Sequence, residues 1–134
     1  MGKSVLIVGG GGREHALCRS LFQSKSIGDV HVTPGNAGTM NYATNHLISA
    51  SDIPGLVDLS QRLGVDFVVV GPEAPLCDSL ADLLLEHGIP CFGPQALHAE
   101  LEGSKRFAKE AMRRANVPTA DYLVLDSSSD IDSA

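Results

Sequence analysis

The sequence has no tryptophan, and only 4% of its 134 residues are aromatic. Hydrophobic residues nevertheless make up 43% of the chain, so a buried core has to be filled mainly by valine, leucine, isoleucine and alanine. That mixture is typical of parallel strands covered by helices. The length corresponds to about one domain with one core. Composition therefore favours an α/β class.

Cysteine is scarce as well. The chain has three, Cys18, Cys77 and Cys91, with neither a C-x-x-C spacing nor a cluster of cysteine and histidine. This excludes a disulfide framework and a zinc site of the usual spacing. We expect buried thiols in a reducing compartment. Because the N-terminus also lacks a cleavable signal pattern, we expect a cytoplasmic protein.

The chain lacks an excess of positive charge and any long apolar run. Its net charge is -6, which gives no overall field to attract nucleic acid or an anionic membrane. No apolar segment approaches the roughly 18 residues that a membrane-spanning helix needs. We therefore expect neither nucleic acid nor a membrane as a partner. A local site for a small anion is still compatible with this balance.

Short apolar runs and longer helical patterns alternate along the chain. The runs predict strands over residues 5–8, 30–33, 67–70, 91–92 and 122–125. Helical spacing follows the first run, a second helix begins at Ser51 or Asp52 and ends at Gly64, and a third carries Leu76, Leu80, Leu83 and Leu84 before Gly88. We predict an open, doubly wound parallel sheet of Rossmann-like type.

Ligands of such sheets bind where the strands end at their carboxyl termini. Three glycine-bearing turns fall there, after Val8, Thr33 and Val70. The first, Gly9-Gly10-Gly11-Gly12, is not a dinucleotide fingerprint, since Glu14 or His15 takes the place of the third glycine. The acidic residue that binds the ribose of a dinucleotide is also missing after the second strand. No P-loop pattern occurs either. Two interpretations stay open: a phosphate or sugar-phosphate site at a helix N-terminus, and a purely structural turn.

Six short motifs occur in order over nearly the whole chain: GGGGREHAL from Gly9, PGNAGT from Pro34, GPEAPL from Gly71, FGP from Phe92, LEGSKRFAK from Leu101 and VPTADY from Val117. Together they resemble the glycinamide ribonucleotide synthetases, the phosphoribosylamine–glycine ligases of purine synthesis. These are ATP-grasp ligases, in which an N-terminal α/β domain precedes two ATP-clasping lobes. The resemblance implies a substrate-side domain over residues 1–101. It also implies a linker helix and the first strand of a truncated ATP-grasp region over residues 102–134, so we expect the N-terminal part of a longer enzyme.

The resemblance also implies an activity. ATP phosphorylates the carboxylate of glycine, and the amine of phosphoribosylamine then attacks the acyl phosphate. The implied partners are the small molecules phosphoribosylamine, glycine and ATP, with magnesium as a further cofactor whose ligands are not expected in this chain. The oligomeric state is left undetermined by the sequence, and no catalytic residue is assigned.

Motif matching gives the candidate site residues. The substrate-binding candidates are Gly10, Gly11, Gly12, Arg13, Asn36, Gly38, Thr39, Gly71, Pro72 and Glu73. Glu73 is expected to hold the ribose hydroxyls or the amine, and Lys105 to contact a phosphate of ATP. Ser79 departs from the pattern, because the family commonly has glycine there.

Other charged residues have simpler explanations. His15 is interpreted as a packing residue, and Glu14 either accepts a substrate hydrogen bond or stabilises a helix N-terminus. In the basic segment that begins at Lys105, we expect the pairs Glu102–Arg106 and Glu110–Arg114, with Lys109 and Arg113 on a solvated face.

Two other functions stay open at this point. One is a different ATP-grasp enzyme, such as a transformylase or a carboxylase, which the joint presence of GREHAL and PGNAGT disfavours. The other is a non-catalytic nucleotide-binding module. The aspartates of the polar stretch 126–134 are expected to be solvated rather than to hold a metal.

Overall fold

The computed structural model describes residues 2–125, so the polar stretch 126–134 lies outside the described residues. The strands are β1 (Lys3–Gly9), β2 (Ile27–Pro34), β3 (Thr44–Asn45), β4 (Phe67–Val70) and β5 (Cys91–Phe92). The helices are α1 (Gly12–Phe22), α2 (Ile53–Leu63), α3 (Ala74–Cys77), α4 (Leu80–Glu86), α5 (Ala96–Gly103) and α6 (Lys105–Arg114), with a short 3₁₀ helix at Thr39–Asn41. The chain divides into two compact units, of which the first ends at Ala99 and the second begins at Glu100.

The strands form one sheet in the order β3-β2-β1-β4-β5, and every pair is parallel. The predicted doubly wound α/β sheet is thus confirmed. The chain leaves β1 towards β2 on one side and later returns to place β4 on the other side of β1. The strand order therefore reverses between β1 and β4, which is where open α/β sheets bind their ligands.

Strand β1 is buried on both faces, as its run of four apolar residues predicts. Val5 and Ile7 pack with Cys18 of α1, whereas Leu6 and Val8 pack with residues of α2 and α4. All four side chains of β1 are fully buried. Burial of one such side chain contributes about 1.5–3 kcal/mol, so the middle of the sheet is held firmly beneath its loops.

Helix α2 has the start and the end that its sequence predicts. Asp52 is its N-cap, and Asp52 Oδ1 accepts a hydrogen bond of 3.0 Å from the Gly55 amide. Gly64 ends the helix with a φ of 60°, in the left-handed region that glycine occupies without strain. Sequence capping rules were sufficient at this element.

The leucine-rich helix predicted from Leu76 to Gly88 is in fact two helices, so the prediction of one continuous helix is wrong. Helix α3 ends at Cys77, and α4 begins at Leu80. Between them Ser79 has a φ of 67°. The leucine stripe continues through this break because Leu76, Leu80 and Leu84 still face the same core. Hydrophobic spacing therefore could not reveal the break.

In the second unit, Ser104 caps α6 by accepting a hydrogen bond of 3.2 Å from the Phe107 amide. The predicted Glu110–Arg114 pair is wrong, because Glu110 Oε1 lies 3.4 Å from Arg106 Nε. Lys109, which was expected on a solvated face, is half-buried. Its ammonium donates to Thr119 Oγ1 at 2.7 Å and to the Ala120 carbonyl at 2.8 Å.

Residues 122–125 do not form the predicted strand. A strand needs a neighbour for its backbone hydrogen bonds, and within residues 2–125 none pairs with this segment. Its side chains are exposed, Leu123 to the extent of 66%. Conversely, the two-residue strand β3 was not predicted, because Thr44–Asn45 is too short and too polar to give a periodic signal. Among the described residues no helix is long and apolar enough to span a bilayer.

Candidate functional site

Three loops meet where β1, β2 and β4 end. The loop after β1 contacts the loop after β2 through a hydrogen bond of 3.1 Å from the Gly35 amide to the Gly9 carbonyl. The loop after β4 begins with the Gly71 amide donating to the Val8 carbonyl at 2.9 Å. We call this region the sheet-edge site. It contains every substrate-binding residue predicted from the motifs: Gly10, Gly11, Gly12, Arg13, Asn36, Gly38, Thr39, Gly71, Pro72 and Glu73.

Asn36 connects two of the loops. Its amide nitrogen donates to the Gly10 carbonyl at 3.0 Å and to the Gly11 carbonyl at 3.3 Å. Its Oδ1 accepts from the amides of Gly38 at 2.7 Å and Thr39 at 3.1 Å. The side chain thus holds the loop after β2 against the loop after β1. This supporting role was not foreseen from the sequence, which predicted only a contact with the ligand.

Thr39 lies beneath the loop. It is fully buried, and its hydroxyl oxygen lies 2.7 Å from the Asn36 carbonyl and 2.9 Å from Asn45 Oδ1. The Asn36 amide donates to the same oxygen at 2.9 Å. Because its hydroxyl is engaged within the protein, Thr39 positions the loop, and the geometry does not support the predicted contact between its side chain and the substrate. Asn45 completes this network from β3.

Glu14 occupies the floor of the sheet-edge site and is only 4% exposed. Its Oε2 accepts a hydrogen bond of 2.6 Å from the Gly11 amide, and its Oε1 accepts one of 3.1 Å from Arg13 Nε. A Cβ atom at Gly71 would overlap Oε1, and one at Gly9 would lie 2.7 Å from the carboxyl carbon. The glycines after β1 and β4 therefore make room for a buried carboxylate.

This arrangement favours the structural interpretation of the glycine turn at Gly11. The Gly11 amide donates to the protein's own carboxylate, so it is not offered to a phosphate at the N-terminus of α1. Gly10 also permits close approach of the next loop, since a Cβ at this position would lie 2.7 Å from the Gly35 carbonyl oxygen. The turn is structural at this point. Glu14, at the third position of the helix, supplies only the carboxylate half of a capping box, because Gly11 has no side chain to complete it.

Glu73 lies on the rim of the site, at the N-terminus of α3. Its carbonyl accepts from the amides of Leu76 and Cys77, each at 3.0 Å, which fixes the backbone. Its side chain is exposed and, within residues 2–125, makes no hydrogen bond or ion pair. Pro72 and Pro75 on either side restrict the loop. A fixed backbone with an unpartnered carboxylate is suited to accept hydrogen bonds from a ligand.

His15 supports the loop after β2 and fits its predicted packing role. A Cβ at Gly38 would lie 2.6 Å from His15 Cε1, so the ring rests directly against this glycine. The centroid of the His15 ring is 5.7 Å from that of Tyr42. Gly38 is therefore needed for close packing, and any ligand contact it makes is through its backbone.

Lys105 belongs to the second unit, where it is the first residue of α6 and is exposed. Its contact with an ATP phosphate stays a prediction. Within residues 2–125 there is no group of three or more histidine, cysteine, aspartate or glutamate side chains that could hold a metal ion.

Comparison with known proteins now identifies the family. The family model described as phosphoribosylglycinamide synthetase, N domain, matches residues 3–102, which include every residue of the sheet-edge site. The chain belongs to this family. The resemblance predicted from the six motifs is confirmed.

Relatives of this phosphoribosylglycinamide synthetase N domain include the phosphoribosylamine–glycine ligase of Streptomyces coelicolor. It is 49% identical over 130 residues, which cover 97% of this chain and 31% of the relative. The crystal structure of the phosphoribosylamine–glycine ligase of Thermotoga maritima matches with a TM-score of 0.70 and 29% identity, over 97% of this chain and 29% of that one. The chain thus spans about a third of the length of the relatives that it matches.

The same fold occurs at lower identity. The N5-carboxyaminoimidazole ribonucleotide synthetase of Thermotoga maritima matches with a TM-score of 0.71 and 21% identity, over 98% of this chain and 36% of that one. This likeness concerns the fold alone. It agrees with the doubly wound sheet described above.

Proposed function

We propose that the chain supplies the substrate-side domain of an ATP-dependent phosphoribosylamine–glycine ligase of purine biosynthesis. The observation that carries this proposal is the 49% identity to such a ligase over 97% of the chain. The meeting of the three predicted loops at one edge of the sheet supports it. In the proposed reaction, the glycine carboxylate attacks the terminal phosphate of ATP, giving an acyl phosphate and ADP. The amine of phosphoribosylamine then displaces inorganic phosphate and forms the amide.

The sheet-edge site would hold the sugar in this reaction. Glu73 accepts hydrogen bonds from the ribose hydroxyls or the amine, since its carboxylate is exposed on a fixed backbone. The backbone of Gly10, Gly12 and Gly38 lines the approach to it, while Asn36 keeps the two loops at the correct separation. Such fixed loops lower the entropy lost on binding and orient the amine for attack.

ATP and magnesium are the cofactors proposed for the whole enzyme. When bound, they activate the glycine carboxylate by transfer of a phosphoryl group. Lys105 is the residue of this chain proposed to contact an ATP phosphate, because an exposed ammonium at the start of α6 is free to reach one. We place the enzyme in the cytoplasm, which is consistent with three free cysteines.

Ribose 5-phosphate provides a binding test on the chain itself. In two-dimensional NMR spectra of the ¹⁵N-labelled chain, we expect saturable shifts at the amides of residues 10–12, 36–38 and 71–73. The Glu73→Gln variant should bind at least about tenfold more weakly, because it loses charge-assisted hydrogen bonds.

Asp78→Asn is the matched control for this test. Asp78 is an exposed carboxylate that follows α3 directly, and its replacement should leave the affinity unchanged. Equal affinities for the Glu73→Gln variant and the wild type would refute the role of Glu73. The absence of any saturable shift at the three loops would contradict the proposed sugar site.

A further inference from the structure

The carboxylate of Glu14 is the most buried charged group of the sheet-edge site, and the proposed reaction gives it no role. It lies between the loops after β1 and β4, at the position where the strand order reverses. Both of its oxygens accept hydrogen bonds, one from the Gly11 amide and one from Arg13. It therefore acts as an anion that the protein itself places at the N-terminus of α1.

The position of Glu14 affects which ligands can bind at the N-terminus of α1. A helix N-terminus ordinarily attracts anions through its free amides and its dipole. Here a buried negative charge occupies that position and repels a second anion. The Arg13 side chain is 62% exposed, so water weakens its compensating positive charge, whereas the side chain of Glu14 is only 5% exposed.

The two carboxylates at this edge also share a chemical preference. An ionised carboxylate only accepts hydrogen bonds. Glu14 forms the floor of the site, and Glu73 stands on its rim with no partner within residues 2–125. The edge therefore favours groups that donate hydrogen bonds or carry positive charge over groups that carry negative charge.

We propose that Glu14 is a specificity-determining residue, whose carboxylate excludes phosphate from the N-terminus of α1 and reserves the sheet-edge site for the hydroxyl and amino groups of the sugar. The part concerning the sugar rests on the proposed function. The exclusion of phosphate does not, because it follows from the position of Glu14 alone.

Titration with inorganic phosphate at constant ionic strength tests the exclusion. In the wild-type chain, the amides of residues 11–13 should show no saturable shift. In Glu14→Gln, which keeps the shape of the side chain and removes its charge, the same amides should shift saturably, with an affinity for phosphate at least about tenfold higher. The matched control is Glu86→Gln, the same substitution at an exposed position of α4, which should behave as the wild type.

Saturable phosphate binding by the wild type at residues 11–13 would overturn the proposal. So would a folded Glu14→Gln variant, with a well-dispersed spectrum, that gains no phosphate binding. If that variant does not fold, the exclusion of phosphate can still be tested on the wild-type chain, by comparing its affinities for ribose and for ribose 5-phosphate. Ribose and ribose 5-phosphate should bind within about threefold of each other. A tenfold preference for ribose 5-phosphate, together with shifts at residues 11–13 that ribose does not cause, would contradict the exclusion.

The two proposals fail in different ways. Failure of both sugars to bind would contradict the sugar site of the proposed function. The role of Glu14 would then be tested by the titration with inorganic phosphate alone. Phosphate binding by the wild type would contradict the role of Glu14, even where ribose binds as expected.

Discussion

At the scale of single residues, the glycines of the sheet-edge site differ in whether the structure has room for a side chain at their positions. A side chain at Gly71 would overlap Glu14, whereas a Cβ at Gly12 would meet no atom within 4 Å. The requirement for glycine after β4 is therefore set by a residue of α1, far away in sequence. The position of each glycine in its motif does not reveal this difference.

Replacement of these two glycines by alanine should give opposite results. We expect Gly71→Ala to lower the free energy of unfolding by about 1–3 kcal/mol, because the added methyl group overpacks against a buried carboxylate. Gly12→Ala, the control, should leave it unchanged or raise it by up to about 1 kcal/mol, because alanine favours the first turn of α1. Urea unfolding monitored by circular dichroism measures both. Equal unfolding midpoints would show that Glu14 moves aside without cost.

The buried thiol of Cys18 makes stability depend on pH. Burial raises the pKa of Cys18 from 9.0 to about 11, and the nearby charge of Glu14 acts in the same direction. The folded chain thus retains a proton that the unfolded chain loses, so stability falls as the pH rises from about 9 to about 11. The pKa of Cys91 is raised to about 11 by burial and adds to the same fall.

The variant Cys18→Ala isolates this effect. Between pH 8 and pH 11 its unfolding free energy should fall less steeply than that of the wild type, by an amount on the order of 2–3 kcal/mol over the whole range. Denaturant unfolding at several pH values measures the difference in slope. Parallel pH profiles for the two proteins would rule out a raised pKa at Cys18.

At the scale of elements, the break between α3 and α4 falls at Ser79, where the resemblance implies glycine. Ser79 has the left-handed backbone that glycine adopts without strain, and its φ is 67°. A non-glycine residue in that conformation is destabilised by roughly 1 kcal/mol. Backbone geometry alone would therefore account for the glycine that the resemblance implies at this position.

We therefore expect Ser79→Gly to raise the free energy of unfolding by about 0.5–1 kcal/mol. The control is Ser20→Gly, at an exposed position inside α1, where glycine should lower it by about 0.5 kcal/mol. Thermal and urea unfolding compare the two variants with the wild type. A destabilised Ser79→Gly would mean that the serine side chain contributes more than the strain costs.

Elements with a periodic apolar pattern could be predicted from the sequence, and elements defined by contacts could not. Strands β1, β2, β4 and β5 and the ends of α2 follow from apolar runs and capping residues. Strand β3 consists of Thr44 and Asn45 and is stabilised by pairing with β2, which no local pattern shows. The apolar run 122–125 resembles a strand in sequence but has no neighbouring strand in the part of the chain that the structure describes.

For the candidate site, the sequence predicted where the residues lie but not where their side chains point. The ten residues predicted to bind substrate meet at one sheet edge, because motifs that follow parallel strands must end on the same side. The direction of each side chain could not be predicted, and so Thr39 turned out to be buried and Asn36 to bridge two loops. Glu14 was left between two interpretations because its contact with Gly71 depends on the packing of α1 against β4.

At the scale of the whole molecule, the proposed function assigns to this chain the binding of the sugar of phosphoribosylamine. Replacing the matching segment of the Streptomyces coelicolor ligase by residues 3–102 of this chain tests that assignment. The chimera should release ADP only when glycine, phosphoribosylamine and magnesium are all present.

The decisive measurement is the effect of Glu73→Gln on the three Michaelis constants of that chimera, with Asp78→Asn as the control. The account predicts that KM for phosphoribosylamine rises at least about tenfold, while KM for ATP and for glycine each stay within about twofold. An equal rise in KM for ATP, or an unchanged KM for phosphoribosylamine, would contradict the assignment of this sheet edge to the sugar.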